Sequence, residues 1–403
     1  MHPEIPIPRA KDQTNFLEWV TLALVVSLFF SPPLVNLFEL LLVTLVLASS
    51  DCRSRLLKSI QSSIGLFSIC FFGLVVVGAL YSIAPKQEAW NMVIGWRKII
   101  VLFFACAAVQ TSRHKQLLVK TFIATVVITM ICSYLSFYFP TGFESKGVPG
   151  IIVKNHATQG MFFAVGSLLA AVYLRYFQTS TFQKIFLYCL IIAVLINLTN
   201  ITIGRSGYVV ALTAFSVFAF MALRINLVAR MSFTAIVLVS TAALFLVTTV
   251  SGERISLAVK EFTNASQLTT GDPGSMGVRF IWWRHSIDMV KEHPLIGIGT
   301  GGFERGLDKQ VQGLTGPTAI RTNDPHNQYL KILVEHGTVG LLIFFGILIS
   351  PFFIRNLGEP YKVAGLAVMI SWAATSLANS HFSTFHEGHF IWFWLGAMLS
   401  PEK

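Results

Sequence analysis

Uninterrupted apolar stretches dominate this chain, and several reach the roughly 18 residues that a helix needs to cross a bilayer. They recur from near residue 16 to near residue 400, separated by short polar breaks. Hydrocarbon offers no partner for a backbone N–H or C=O, so such stretches must be helices that satisfy their own hydrogen bonds. Composition agrees: 54% of the 403 residues are hydrophobic and 12% charged, where a soluble domain carries about 25% charged residues. An all-α, polytopic membrane protein is therefore expected.

Reading the apolar stretches between polar breaks predicts about twelve spans, near 16–31, 34–50, 61–83, 90–110, 116–139, 157–176, 185–203, 206–223, 231–250, 328–350, 362–380 and 387–400. Ser31-Pro32-Pro33 is the tight break between the first two. The polar start, Met1 to Thr14, has no small-residue cleavage site, so the first span is expected to remain. The resulting organisation is spans one to nine over 1–250, a loop domain over 251–327, and spans ten to twelve over 328–403, integrated as one membrane domain.

Positive charge orients the array. With both termini cytoplasmic, inner loops hold Arg53, Arg55 and Lys58, then Arg113 and Lys115, Arg175 and Lys184, Arg224 and Arg230, and Arg355 and Lys362. Apart from Arg205, the short outer loops hold only Lys86, Lys146 and Lys154. The net charge of +11 is thus a topological signal and gives no reason to expect a nucleic acid. The same orientation places the 251–327 loop outside the cytoplasm. It is too long for a bare connector, which marks it as functional. Within it Val278 to Glu292 reads as a short amphipathic helix ended by His293-Pro294, with Trp282 and Trp283 suited to a membrane interface. The five cysteines have neither disulfide nor zinc spacing.

Candidate chemistry gathers toward the outer face. Asp324-Pro325-His326-Asn327 opens the tenth span, with Asp324 a candidate cap, Pro325 at the first helical position and His326 in the first turn. The positive end of a helix favours a neutral imidazole that can accept a proton; the bland alternative is a histidine that only satisfies hydrogen bonds. Arg205, in Gly204-Arg205-Ser206-Gly207, is costly in hydrocarbon and would either grip a phosphate or snorkel to headgroups. Arg279 lies near the start of the loop helix and is the better anion ligand there; Arg284 reads as a solvated charge. Lys86, Arg97, Asn155, His156, Asn327 and Arg321 complete the candidate polar vestibule. Gly297-Ile298-Gly299-Thr300-Gly301-Gly302 contains GxGxxG without a strand–helix setting, so no dinucleotide is expected. His381, His386 and His389 with Glu387 match no metal template and read as interfacial polar residues.

In order, Arg205, then Arg279 and Trp282, the turn Pro294 to Gly299 with Gly302-Phe303, His326-Asn327-x-x-Leu330, Glu335-x-Gly337 and Gly340 resemble the O-antigen ligase and polymerase superfamily over about 190–345. The resemblance implies a GT-C-like glycosyltransferase in the inner membrane of a Gram-negative bacterium, with its active site facing the periplasm. It implies transfer of a polysaccharide from undecaprenyl diphosphate to an outer-core sugar of lipid A–core, with no metal, nucleotide or other cofactor. His326 would be the catalytic base and Arg205 and Arg279 the diphosphate ligands. An O-antigen polymerase is the nearest alternative, and a lipid-linked glycan transporter or flippase the alternative from another class.

Overall fold

The computed structural model describes residues 10–139, 141–142, 144–247, 274–355 and 357–402. Residues 1–9, the end of the ninth expected span and the first part of the expected loop (251–273) lie outside the described residues. Within them the chain is helical, with no strand.

The helices are α1 (Ala10–Phe30), α2 (Pro32–Ala48), α3 (Ser50–Gln61), α4 (Ser63–Tyr81), α5 (Lys86–Trp96), α6 (Val101–Ala108), α7 (Ser112–Tyr138), α8 (His156–Tyr176), α9 (Thr181–Asn200), α10 (Arg205–Ala222), α11 (Leu227–Val247), α12 (Gly274–Glu292), α13 (Phe303–Gln310), α14 (Gln328–Ile349), α15 (Glu359–Thr375) and α16 (Phe385–Met398). Seven stretches among the described residues are long and apolar enough to cross a bilayer: 63–81, 86–108, 112–138, 156–176, 181–200, 205–222 and 328–353. This is a multi-pass membrane protein. The count of twelve is not reached by that measure, for local reasons. α2 and α3 meet at a 105° bend, where Ser49 turns extended and caps α3. α3 then carries Asp51, Arg53, Arg55 and Lys58 away from the apolar direction. The expected spans 16–31 and 231–250 fall on shorter apolar helices. Those near 362–380 and 387–400 become helices of 17 and 14 residues. The last of these is buried from His386 to Met398, so protein rather than lipid surrounds it.

Ser31 breaks the first two helices as the sequence predicts, and its hydroxyl caps α2 at Leu34. The fourth expected span is less regular: Arg97–Ile100 is a 3₁₀ turn between α5 and α6.

Two packing details position the candidate site. α8 and α10 touch through backbone, because a Cβ on Gly207 would lie 2.9 Å from Gly160 Cα. Gly204 is equally confined, 2.8 Å from the His156 carbonyl oxygen. The first residues of both helices therefore sit side by side. A buried polar network supports them from below. Gln159 Nε2 donates to Ser133 Oγ (3.2 Å), the Gly150 carbonyl (2.8 Å) and Thr202 Oγ1 (2.9 Å), and Thr202 donates to Asn197 Oδ1 (2.6 Å).

The second detail is a break in α14. Gly337 has φ +63° and ψ −165°, and a Cβ there would lie 2.2 Å from the Leu295 backbone. Only glycine takes that conformation in that space. The glycine-rich turn pairs with the broken helix through Ile298 N to Val334 O (2.9 Å), Gly299 N to Glu335 O (2.9 Å) and Thr338 N to Pro294 O (2.8 Å). The GxGxxG stretch is thus a backbone splice between the loop, α4 and α14, and Thr300 N continues it to the Gly78 carbonyl at 3.1 Å.

Candidate active site

The candidate site is built where three helix beginnings meet. His156 and Ala157 open α8, Arg205 and Ser206 open α10, and Ser275, Met276 and Arg279 lie in the first turns of α12. Together they line one cavity of about 430 Å³. Backbone N–H groups at helix beginnings have no intrahelical partner and carry partial positive charge. Two guanidiniums placed among them make the cavity basic. Arg205 Nη1 meets Ser275 Oγ at 3.3 Å, which ties α10 to α12.

The far wall of the cavity is the turn after α15, reached through Ala378 and Asn379. Asn379 also meets His326, with Oδ1 3.2 Å from Nδ1 of the ring. The same oxygen accepts the Ser380 backbone N–H at 3.0 Å. An N–H donor on that oxygen fixes the amide orientation, so Oδ1 must also be the acceptor for histidine. His326 Nδ1 is then the donor in this contact, and in the neutral ring the lone pair lies on Nε2.

His326 is held on every side. Its ring stacks on Trp282, centroids 5.5 Å apart and planes 26° apart. Its backbone N–H donates to Asp324 Oδ1 at 2.7 Å. Asp324 Oδ1 also accepts from Ser380 Oγ (2.8 Å), and Oδ2 faces Lys331 Nζ at 3.1 Å. Burial raises the Asp324 carboxyl pKa, but Lys331, Ser380 and the His326 amide outweigh it and hold it below the usual aspartate value. The backbone of His326 is left-handed, φ +52°, a conformation that costs a non-glycine residue free energy unless its surroundings impose it.

That geometry corrects the expected helix start. Asn327, not Asp324, is the cap, with Oδ1 accepting from the Tyr329 and Leu330 amides at 3.0 Å each. His326 precedes the cap instead of lying in the first turn. Asp324 acts as a bracket across the loop. The tryptophans bond to the same loop. Trp282 Nε1 donates to the Ile320 carbonyl and Trp283 Nε1 to the Pro325 carbonyl, both at 2.8 Å. They brace the loop that bears His326 within the protein. α12 begins at Gly274, before the Val278 expected for it, and ends at Glu292 as predicted.

The other candidates separate. His156 lines the cavity with Arg205 and Arg279. Asn155 caps α8 through Thr158 N at 2.9 Å, and Asn327 caps α14; both serve helix starts. Arg97 turns away, its Nη2 on Asn36 Oδ1 at 2.8 Å. Its neighbour Lys98 is the buried one, with Nζ on the Ser383 and Thr384 carbonyls at 2.6 and 2.7 Å. Arg321 pairs with Asp308 at 3.4 Å on the surface, and Lys86 is exposed at the start of α5. None of Lys86, Arg97 and Arg321 lines the cavity.

The three late histidines are buried, not interfacial, and point to different partners. His381 meets Ser206 Oγ at 3.2 Å, His386 the Leu28 carbonyl at 2.8 Å and His389 the Phe385 carbonyl at 2.7 Å. Burial pushes the His381 pKa down to about 4, against the pull of Glu387, so it stands beside Arg205's helix as a neutral ring. Among the described residues no group of three or more His, Cys, Asp or Glu is arranged to hold a metal ion. Asn379 and Gln159 were not among the sequence candidates, and Asp324 was expected as a helix cap, not as a bracket.

An uncharacterized protein of Haemophilus influenzae is 35% identical over 86 residues, which is 21% of this chain and 22% of that protein; the match therefore spans about a fifth of the relative. Residues 187–345, which contain Arg205, Arg279 and His326, match the family model described as O-Antigen ligase, consistent with the superfamily that the sequence resembles.

Proposed function

We propose that the chain transfers a glycan from undecaprenyl diphosphate to an outer-core sugar of lipid A–core at the periplasmic face of the inner membrane. The observation that carries this reading is the joining of Arg205 and Arg279 in one cavity whose wall, Asn379, orients His326. A diphosphate carries negative charge that increases as the bond to the sugar breaks. Two guanidiniums and the converging helix beginnings supply donors to it, in the role a divalent cation fills elsewhere.

His326 supplies the other half. Nε2 takes the proton of the acceptor hydroxyl while that oxygen bonds to the anomeric carbon. The anomeric C–O bond to phosphate breaks in the same displacement, the electron pair leaves with undecaprenyl diphosphate, and the configuration inverts. Asn379 holds the ring so that Nδ1–H stays bonded as Nε2 becomes positive. The donor arrives activated, so no nucleotide enters.

Purified protein reconstituted with undecaprenyl-diphosphate-linked glycan and lipid A–core, in EDTA, tests the reading on a glycolipid gel. Glycan-capped lipid A–core is the expected product. Longer undecaprenyl-linked chains would make the protein a polymerase. Neither product from a folded, inserted sample would contradict glycosyl transfer and favour transport.

A further inference from the structure

A second cavity, about 280 Å³, adjoins the His326 loop through Asn323 and Asp324, and its electrostatics are opposite. Glu88, Glu304, Asp324 and Glu335 line it, with Lys331 as its one cation. Two of these carboxylates are already matched: Glu88 by Arg305 at 3.0 Å and Asp324 by Lys331 at 3.1 Å. Glu304 stands exposed in the first turn of α13. Glu335 is 2% exposed, and its carboxylate takes backbone hydrogen bonds from Gly301 and Phe303, but its Oε1 has no hydrogen-bond partner among the described residues. A buried carboxylate oxygen with no donor is expensive, and the cost falls when a bound molecule brings one.

The wall between the two cavities contains the groups that fix His326. Asp324 lines the acidic pocket and holds the His326 amide. Ser383 and Thr384 line it too, on the turn that presents Asn379 to the basic cavity. Lys98 grips their two carbonyls from beneath, so the wall is anchored. The acidic residues do not converge as metal ligands. They are spread around a space, as hydroxyl acceptors are around a sugar.

We propose that this pocket, between Glu304 and Glu335, is the acceptor subsite and takes an uncharged, hydroxyl-bearing sugar ring. The inference rests on the glycosyl-transfer reading above. Carboxylates accept hydrogen bonds from sugar hydroxyls and repel phosphate, so the acceptor ring is unphosphorylated at this point. The same charge separation sorts the two substrates, since the diphosphate is attracted to the Arg205 side and rejected from the Glu335 side. Asp324, which lines this pocket, holds the His326 amide, and Asn379, which lines the basic cavity, holds its ring, so both pockets adjoin the His326 segment.

The test is steady-state transfer in proteoliposomes, with KM for lipid A–core and KM for the undecaprenyl-diphosphate donor measured separately. Glu304→Gln and Glu335→Gln should each raise the acceptor KM roughly tenfold, the loss of about one charge-assisted hydrogen bond, and leave the donor KM within about twofold. Lipid-free core oligosaccharide should compete with lipid A–core and not with donor. Glu304 is exposed, so its variant folds even if the buried one does not. An unchanged acceptor KM in Glu304→Gln, with normal wild-type transfer, overturns the subsite and leaves the reaction standing. An acceptor KM that follows added calcium instead of the substitutions assigns the pocket to a cation and also overturns it. Wild-type protein that caps no lipid A–core removes the reading on which the subsite rests.

Discussion

Replacing Asp324 removes the bracket that forces His326 into its left-handed backbone. The carboxylate makes three contacts: the His326 amide at 2.7 Å, Ser380 Oγ at 2.8 Å and Lys331 Nζ at 3.1 Å. In Asp324→Ala the Lys331 ammonium, 7% exposed, loses its partner, and breaking a buried ion pair costs about 3–5 kcal/mol. The Asp324 side chain is 22% exposed, which puts the cost at the lower end, about 3 kcal/mol. His326 also loses the hydrogen bond that sustains φ +52°, and relaxing such a strained residue releases about 1–3 kcal/mol. The loop should therefore leave its catalytic geometry in most molecules. Transfer should fall on the order of a hundredfold, each 1.4 kcal/mol being tenfold. Asp324→Asn keeps an acceptor for the amide and for Ser380 but not the charge facing Lys331, so it should lie between. Adding Lys331→Met to Asp324→Asn should recover part of the loss by removing the stranded ammonium. The assay is initial rate of lipid A–core capping, with thermal unfolding in detergent as the stability readout. Wild-type rate and stability in Asp324→Ala would refute the bracket.

Other consequences follow from the same geometry. Gly337→Ala should unfold or misassemble the protein, because its Cβ would enter the Leu295 backbone in a conformation that costs about 1–3 kcal/mol; a drop in thermal midpoint and in inserted yield checks it. Arg97→Ala and Arg321→Ala, which alter exposed side chains outside the cavity, should keep transfer within about twofold; a larger loss in either would move the donor site. Acidification should destabilise the wild type in a defined window. The Asp324 pKa is lower folded than unfolded, so its contribution is full above the unfolded value of about 3.9 and is lost as pH falls through the folded one. The thermal midpoint of Asp324→Asn should be less sensitive to pH below about 4.

Much of the site was legible as residue types, and little of it as geometry. Arg205 was readable as a costly charge at a helix beginning, Arg279 as an anion ligand near the start of the loop helix, and His156 as part of the outer vestibule. The cavity joins all three. Arg97 and Lys98 show the limit. An apolar run reveals that a charge is expensive but not which of two neighbours turns inward, since that depends on the 3₁₀ turn at Arg97–Ile100. Asn379 was invisible because its role depends on a contact 53 residues away along the chain. The start of α14 was misplaced because Asp324, Pro325 and Asn327 all satisfy helix-start patterns, and only the bonds to Ser380 and Lys331 choose among them. The count of spans suffered similarly. A buried 14-residue helix such as α16 has the composition of a span without needing its length.

Donor binding and turnover, measured on the same three variants, test the central claim most directly. Labelled undecaprenyl-diphosphate glycan should bind wild type and His326→Ala alike, and should bind Arg205→Ala and Arg279→Ala at least tenfold more weakly. Transfer should be lost in all three. Retained donor binding in both arginine variants, or transfer by His326→Ala within a few-fold of wild type, would contradict the division between a diphosphate clamp and a general base.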